Sequence, residues 1–167
     1  MPYTGTPRTW VAGEVPTAAH FNDNLRDFAR GFTDAWTSYT PTLTASTTNP
    51  TNWTQTGYYM QVGKLVHVKG ILTAGGSMTA GSGTYRIALP VNAVTASISN
   101  AACDGSVYMA DASTGAANTV ATIYLPAATY VQLVYATGGT PSVVSNSVPW
   151  TWAAGDHIKF AFTYEAA

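Results

Sequence analysis

His157-Ile158-Lys159-Phe160-Ala161-Phe162-Thr163-Tyr164-Glu165 alternates large apolar residues at 158, 160, 162 and 164 with smaller or polar ones between them. A period of two puts the four large side chains on one face of a pleated strand, which a helix of period 3.6 cannot do. The pattern recurs upstream, where Tyr85, Ile87 and Leu89 alternate with Thr84, Arg86 and Ala88. Further strand candidates lie at 37–45, 56–62, 64–73, 105–110, 119–125 and 129–136. Turn signals separate them at Asn49-Pro50, Val62-Gly63-Lys64, Gly75-Gly76, Gly81-Ser82-Gly83, Gly115, Gly138-Gly139 and Gly155-Asp156. Many short strands at this spacing predict a mainly β fold, a jelly-roll-like antiparallel β-sandwich.

Composition agrees. A chain of 167 residues hides roughly 70% of its unfolded surface, enough for one core without staples. Hydrophobic residues make up 46%, but charged residues only 9%, against roughly 25% in an average domain. There are 26 Thr against 3 Lys and 2 Glu, a bias toward pleated surfaces that excludes an all-helical protein. The net charge of −1, with scattered basic residues, excludes charge-driven binding to nucleic acid or to an anionic membrane. No apolar run approaches the roughly 18 residues of a membrane span, so no membrane insertion is expected. The start MPYTGTPRTW has no hydrophobic signal core. The expectation is synthesis in the cytoplasm, with release by another route such as lysis.

The first 35 residues read differently from the rest. Pro2, Pro7 and Pro16, with Tyr3 and Trp10 between them, predict an extended arm whose aromatic anchors lie on a partner surface. Thr17 reads as an N-cap, Ala18 to Arg30 as one short α-helix, and Gly31 as its C-terminal stop. Phe21, Leu25, Phe28 and Phe32, spaced 4, 3 and 4, form a narrow seam like that of a coiled coil. So short a helix is marginal alone and must bury this seam, either on its own β domain or on copies of itself. The division expected is 1–35 as an anchoring arm and oligomerisation helix, and 36–167 as the β-sandwich domain.

Catalytic chemistry finds little footing. Sugar hydrolysis needs two facing carboxylates, and the β region offers only Asp104, Asp111, Asp156 and Glu165, mostly beside Gly or at strand ends. His67 shares a strand face with Lys69, and His157 with Lys159, which predicts solvent faces; neither has ligand-rich spacing. His20, in the first helical turn, suits a polar surface or interface. Cys103 is the only cysteine, which excludes intrachain disulfides and multi-thiolate metal sites and leaves a small core thiol. The Gly-rich stretch 75–84 lacks the Gly-Lys-Ser/Thr ending of a phosphate loop and reads as a loop between strands. Asn52-Trp53-Thr54 is a glycosylation sequon in spelling only. No catalytic residue, metal ligand or cofactor is therefore predicted. Aromatics carry the stronger signal. Trp53, Trp150 and Trp152 are candidate glycan-binding residues, the last two sharing a face if 149–153 is extended; filling a core or a subunit interface is the competing role.

Pro7 to Asp27, with Trp10, Gly13-Glu14, Thr17-Ala18, Asn22 and Arg26-Asp27 in register, resembles the N-terminal module of small virion proteins of tailed bacteriophages, especially those infecting actinobacteria. Trp36-Thr37-Ser38-Tyr39-Thr40-Pro41, the hairpin Gly57 to Val66, Leu89-Pro90-Val91 and the ending Gly155 to Ala167 are similar to phage fibre and minor tail domains. The resemblance implies a non-enzymatic structural protein of the virion, usually a homotrimer, placed as a minor tail or tail-fibre component. Its alternatives are a capsid decoration or head-fibre protein that stabilises the coat, and a receptor-recognition head that binds a host cell-surface glycan. Partners implied are further copies of itself and other virion proteins of tail or capsid.

Overall fold

A computed structural model describes residues 9–26, 29, 32–34, 36–94, 103–115, 117–137 and 139–167. Ten strands carry the β region: β1 (Thr37–Tyr39), β2 (Leu43–Ala45), β3 (Thr51–Val62), β4 (Leu65–Thr79), β5 (Tyr85–Ala88), β6 (Cys103–Asp111), β7 (Ala117–Ala127), β8 (Tyr130–Thr137), β9 (Thr140–Val143) and β10 (His157–Glu165). They form one antiparallel sheet in the order β1-β3-β4-β10-β6-β7-β8-β5-β2, with β9 as a spur on β8. The fold is mainly β, as the alternation predicts.

The ends of that path, β1 and β2, are separated by Thr40, Pro41 and Thr42 alone. Four Cα steps from Tyr39 to Leu43 reach at most about 14 Å. The sheet therefore has to curl so that its outermost strands approach each other, and it forms a curled half-barrel. Gln55 Oε1 of β3 accepts from Leu43 N of β2 at 3.3 Å, tying the two ends together. β10, β6, β7 and β8 stand in the order 4-1-2-3 of a Greek key, since β10 returns beside β6 after the two hairpins.

Inside the curl lie the residues of one strand parity. Val66, Val68 and Leu72 of β4 face Ile158, Phe160, Phe162 and Tyr164 of β10, with Val107, Met109, Val131 and Leu133 beyond them, all buried. Each such side chain contributes roughly 1.5–3 kcal/mol by leaving water. Two glycines make room for the rings. A Cβ on Gly70 would stand 2.5 Å from Phe160 Cζ, and one on Gly105 would run into the backbone of Ala161 and Phe162.

Several expectations need correction. The run 37–45 is two strands, because Pro41 has no N–H to donate and the chain turns there from one sheet edge to the other. Gly75-Gly76 is no loop: β4 runs through both to Thr79. The register with β3 breaks there, since Trp53 pairs with Ala74 but Thr51 with Thr79, so β4 bulges over 75–78 opposite Asn52 at φ 56; the Asn52 carbonyl lies 2.6 Å from where a Gly75 Cβ would sit, which keeps that position glycine. β9 had no clear alternation and was not expected, and 149–153 forms no strand.

The segment expected as one helix is not uniformly α-helical. Ala18–Phe21 is α-helical, Asn22–Arg26 is a π-helical turn, and Ala29, Phe32 and Thr33 are again α-helical. The arm is not wholly extended either: Glu14 N donates to Val11 O at 3.0 Å, closing a turn with Gly13 at φ 84. Tyr3, Phe28, Arg30 and Gly31 lie outside the described residues, as do the side chains of Cys103 and Asp104.

Candidate functional site

Three places carry the residues singled out by sequence. The first is the N-terminal segment. Thr17, at φ −94 and ψ 163, is the N-cap expected: its Oγ1 accepts from His20 N at 3.3 Å, while His20 Nδ1 accepts from Thr17 N at 3.3 Å. His20 thus fills the place that Glu or Gln takes in a capping box. Just upstream, Glu14 Oε2 accepts from Val11 N at 3.3 Å. The Trp10 ring lies 5.8 Å from the His20 ring and 6.5 Å from that of Phe21. Each member of the Trp-x-x-Gly-Glu-x-x-Thr run so has a local task, whether turn, cap or ring contact. The apolar side chains remain at the surface, with Trp10 45%, Phe21 48%, Leu25 61% and Phe32 60% exposed. No residue of Ala18–Phe21 is buried.

The second place is the aromatic cluster, which corrects the glycan-binding expectation for Trp53 and Trp152. Both are in the core, at 8% and 3% exposure. The Trp152 ring lies 5.7 Å from Trp53, 6.0 Å from Tyr85 and 5.3 Å from Trp150, and Trp152 Nε1 donates to Ser145 O at 2.8 Å. Trp150 is half-buried and packs against the same core. Burial also pushes the Tyr85 hydroxyl well above the usual phenol range; it donates to Ala80 O at 2.7 Å.

The third place was not singled out: the outer face of β3, β4, β10 and β6. Residues of the parity opposite to the core stand there, and the register sets Tyr58 beside Lys69, Thr56 beside Ile71, Ile71 beside Lys159, and Lys159 beside Tyr108. Thr56, Tyr58, Lys69, Ile71 and Lys159 line a shallow groove of about 370 Å³, with Gly70 and Phe160 also bordering it. Lys69 Nζ lies 3.9 Å from the centroid of Trp36, and Lys159 Nζ 5.9 Å from that of Tyr108. Trp36 also meets His67 edge-on at 5.4 Å, and His67 Nδ1 is 2.9 Å from Thr163 Oγ1. His67 and His157 are half-buried on this face, on the side of the sheet expected for them.

The carboxylates have structural tasks. Asp156 is fully buried; its Oδ2 accepts from Ala153 N at 2.8 Å and its Oδ1 from Ser113 N at 3.0 Å, pinning the β6–β7 turn to the loop before β10. Asp111 Oδ1 accepts from Ser113 Oγ at 2.9 Å and Thr114 N at 3.1 Å, and bonds from Thr114 and Ser113 hold its carboxyl below the usual range. Glu165 sits 3.5 Å from Lys64 Nζ. Among the described residues no three His, Cys, Asp or Glu side chains gather around a common point, and no helix is long and apolar enough to cross a membrane.

Neither family models, nor curated protein sequences, nor solved structures give a match to this chain.

Proposed function

We propose that this chain is a non-enzymatic structural protein of a tailed-bacteriophage particle, a minor tail or tail-fibre component that works as a homotrimer. The β region is its outward, jelly-roll-like body, and the segment up to residue 35 is its mount on other virion proteins. The observation that carries this reading is the contrast between the two parts. The β region encloses its own core, whereas the N-terminal segment holds Phe21, Leu25 and Phe32 about half or more exposed on a capped, preorganised turn. Apolar side chains set out this way suit burial between copies or against a partner. The resemblance of Pro7 to Asp27 to phage virion modules supplies the class of partner.

The experiment is sedimentation of the full chain, followed by antibody labelling of particles. The reading expects a trimer that falls apart in the Phe21→Ser/Leu25→Ser double variant while the β region melts unchanged, and label on the tail. Label on the capsid shell would replace the tail assignment by coat decoration. A monomeric wild-type chain, or particles without label, would overturn the proposal.

A further inference from the structure

We propose that the outer-face groove between β3, β4 and β10 binds a sugar unit carrying a carboxylate, as in a hexuronate-containing polysaccharide. The two charges come first. Lys69 and Lys159 are diagonal neighbours, since Lys69 pairs with Ala161 and Lys159 with Ile71, a spacing of about 7–8 Å along the diagonal. Two of the chain's three lysines so stand together on one face of a charge-poor domain. Neither has a carboxylate partner among the described side chains: Glu165 holds Lys64, and Asp111 and Asp156 hold turns. Like charges on adjacent strands repel, and an anion between them relieves that repulsion.

The walls come second. The Tyr58 ring is 41% exposed, and with Ile71 and the lysine stems it makes the groove mostly carbon. A bare inorganic anion gains nothing from such walls, whereas the C–H face of a sugar ring stacks on a tyrosine. Thr56 and Tyr58 line the groove from β3, beside Ile71 and Lys69 of β4. A volume of about 370 Å³ lies near the lower end of small-ligand sites, room for one or two rings. Two lysines are too few to hold nucleic acid. The occupant is therefore an acidic sugar, with its carboxylate between the ammonium groups and its ring on Tyr58. The site does not depend on the particle reading: failure of sugar binding leaves oligomerisation and particle labelling untouched, and the reverse also holds.

The test is calorimetric titration of the full chain with trigalacturonate, against uncharged trigalactose and against inorganic phosphate. Trigalacturonate should bind, with trigalactose about tenfold weaker, and phosphate should not displace it at equal concentration. Lys69→Gln and Lys159→Gln should each weaken binding about tenfold, the size of a lost charge-assisted bond. Tyr58→Ala should weaken it about two- to tenfold. The lysine variants should melt as the wild type does, because their side chains lie on the surface. No binding at millimolar trigalacturonate, equal binding of trigalactose, full displacement by phosphate, or unchanged affinity in both lysine variants would each overturn the proposal.

Discussion

Trp152→Ala separates a core tryptophan from a ligand-binding one. The side chain is 3% exposed and is surrounded by Trp53, Tyr85 and Trp150 at ring separations of 5.3 to 6.0 Å. Three aromatic neighbours cannot collapse into the space left by an indole, so the full penalty for such a truncation applies, about 3–5 kcal/mol. The bond to Ser145 O is lost as well, although that carbonyl keeps the Val148 N–H at 3.4 Å. A β region of about 130 residues has an unfolding entropy of about 0.27 kcal/mol/K, so the midpoint should fall by about 10–20 °C. Thermal melting followed by far-UV circular dichroism reads this directly, and near-UV dichroism reports whether the remaining rings stay packed. Trp150→Ala should do less, because Trp150 is only partly buried and its Nε1 has no partner to lose. A Trp152→Ala midpoint within about 3 °C of wild type would refute the core assignment and return the residue to the surface.

Gly105→Ala should destabilise the domain by about 1–3 kcal/mol in urea titration, since its Cβ meets backbone of β10 that cannot swing away, while Gly76→Ala, with nothing within 4 Å, should stay within about 0.5 kcal/mol. Asp156→Ala leaves the Ser113 and Ala153 N–H groups without their buried acceptor and should lower stability by about 2–5 kcal/mol, with Asp156→Asn recovering part. The Asp111 carboxyl should titrate below its ordinary 3.8, because side-chain and backbone bonds from Thr114 and a bond from Ser113 favour the charged form. A depressed value means that this contribution is present at neutral pH and is lost as the pH falls from 3.8 through the folded value. NMR titration checks it, and Thr114→Val should move the value back toward 3.8; an unmoved value would contradict the assignment.

Strand content was legible because period two is a local signal, and it survives wherever one face is buried. Tyr85 and Ile87 are fully buried beside half-exposed Arg86 and Ala88, as the alternation in Tyr85–Ala88 requires. Boundaries failed where a long-range contact overrode local chemistry. Gly75-Gly76 looks like a turn in isolation, but it is a bulge within β4, packed against Asn52 of β3 more than twenty residues away. The helical segment shows a smaller departure of the same kind. Phe21, Leu25 and Phe32 have helical spacing and lie in helical backbone, but spacing does not reveal the π-helical pitch of Asn22–Arg26.

The functional surface illustrates the same limit more sharply. Parity along one strand placed Lys69 with His67 and Lys159 with His157, each on an outer face, and that much required no structure. What parity cannot supply is which strands are neighbours. β4 and β10 are ninety residues apart in places, yet they are hydrogen-bonded over nine consecutive pairs, and only that register turns two isolated lysines into a diagonal pair beside Tyr58. The tryptophans show the converse. Trp150 and Trp152 are two residues apart and conspicuous as a binding ledge, but the segment before β10 sets Trp152 against Trp53 and Tyr85 in the core, with Trp150 packed beside it. In a domain with so few charges, large aromatics such as Trp53 and Trp152 are drawn into the core, and the proposed sugar site falls to the outer-face residues whose parity keeps them out of it: Tyr58, Lys69 and Lys159.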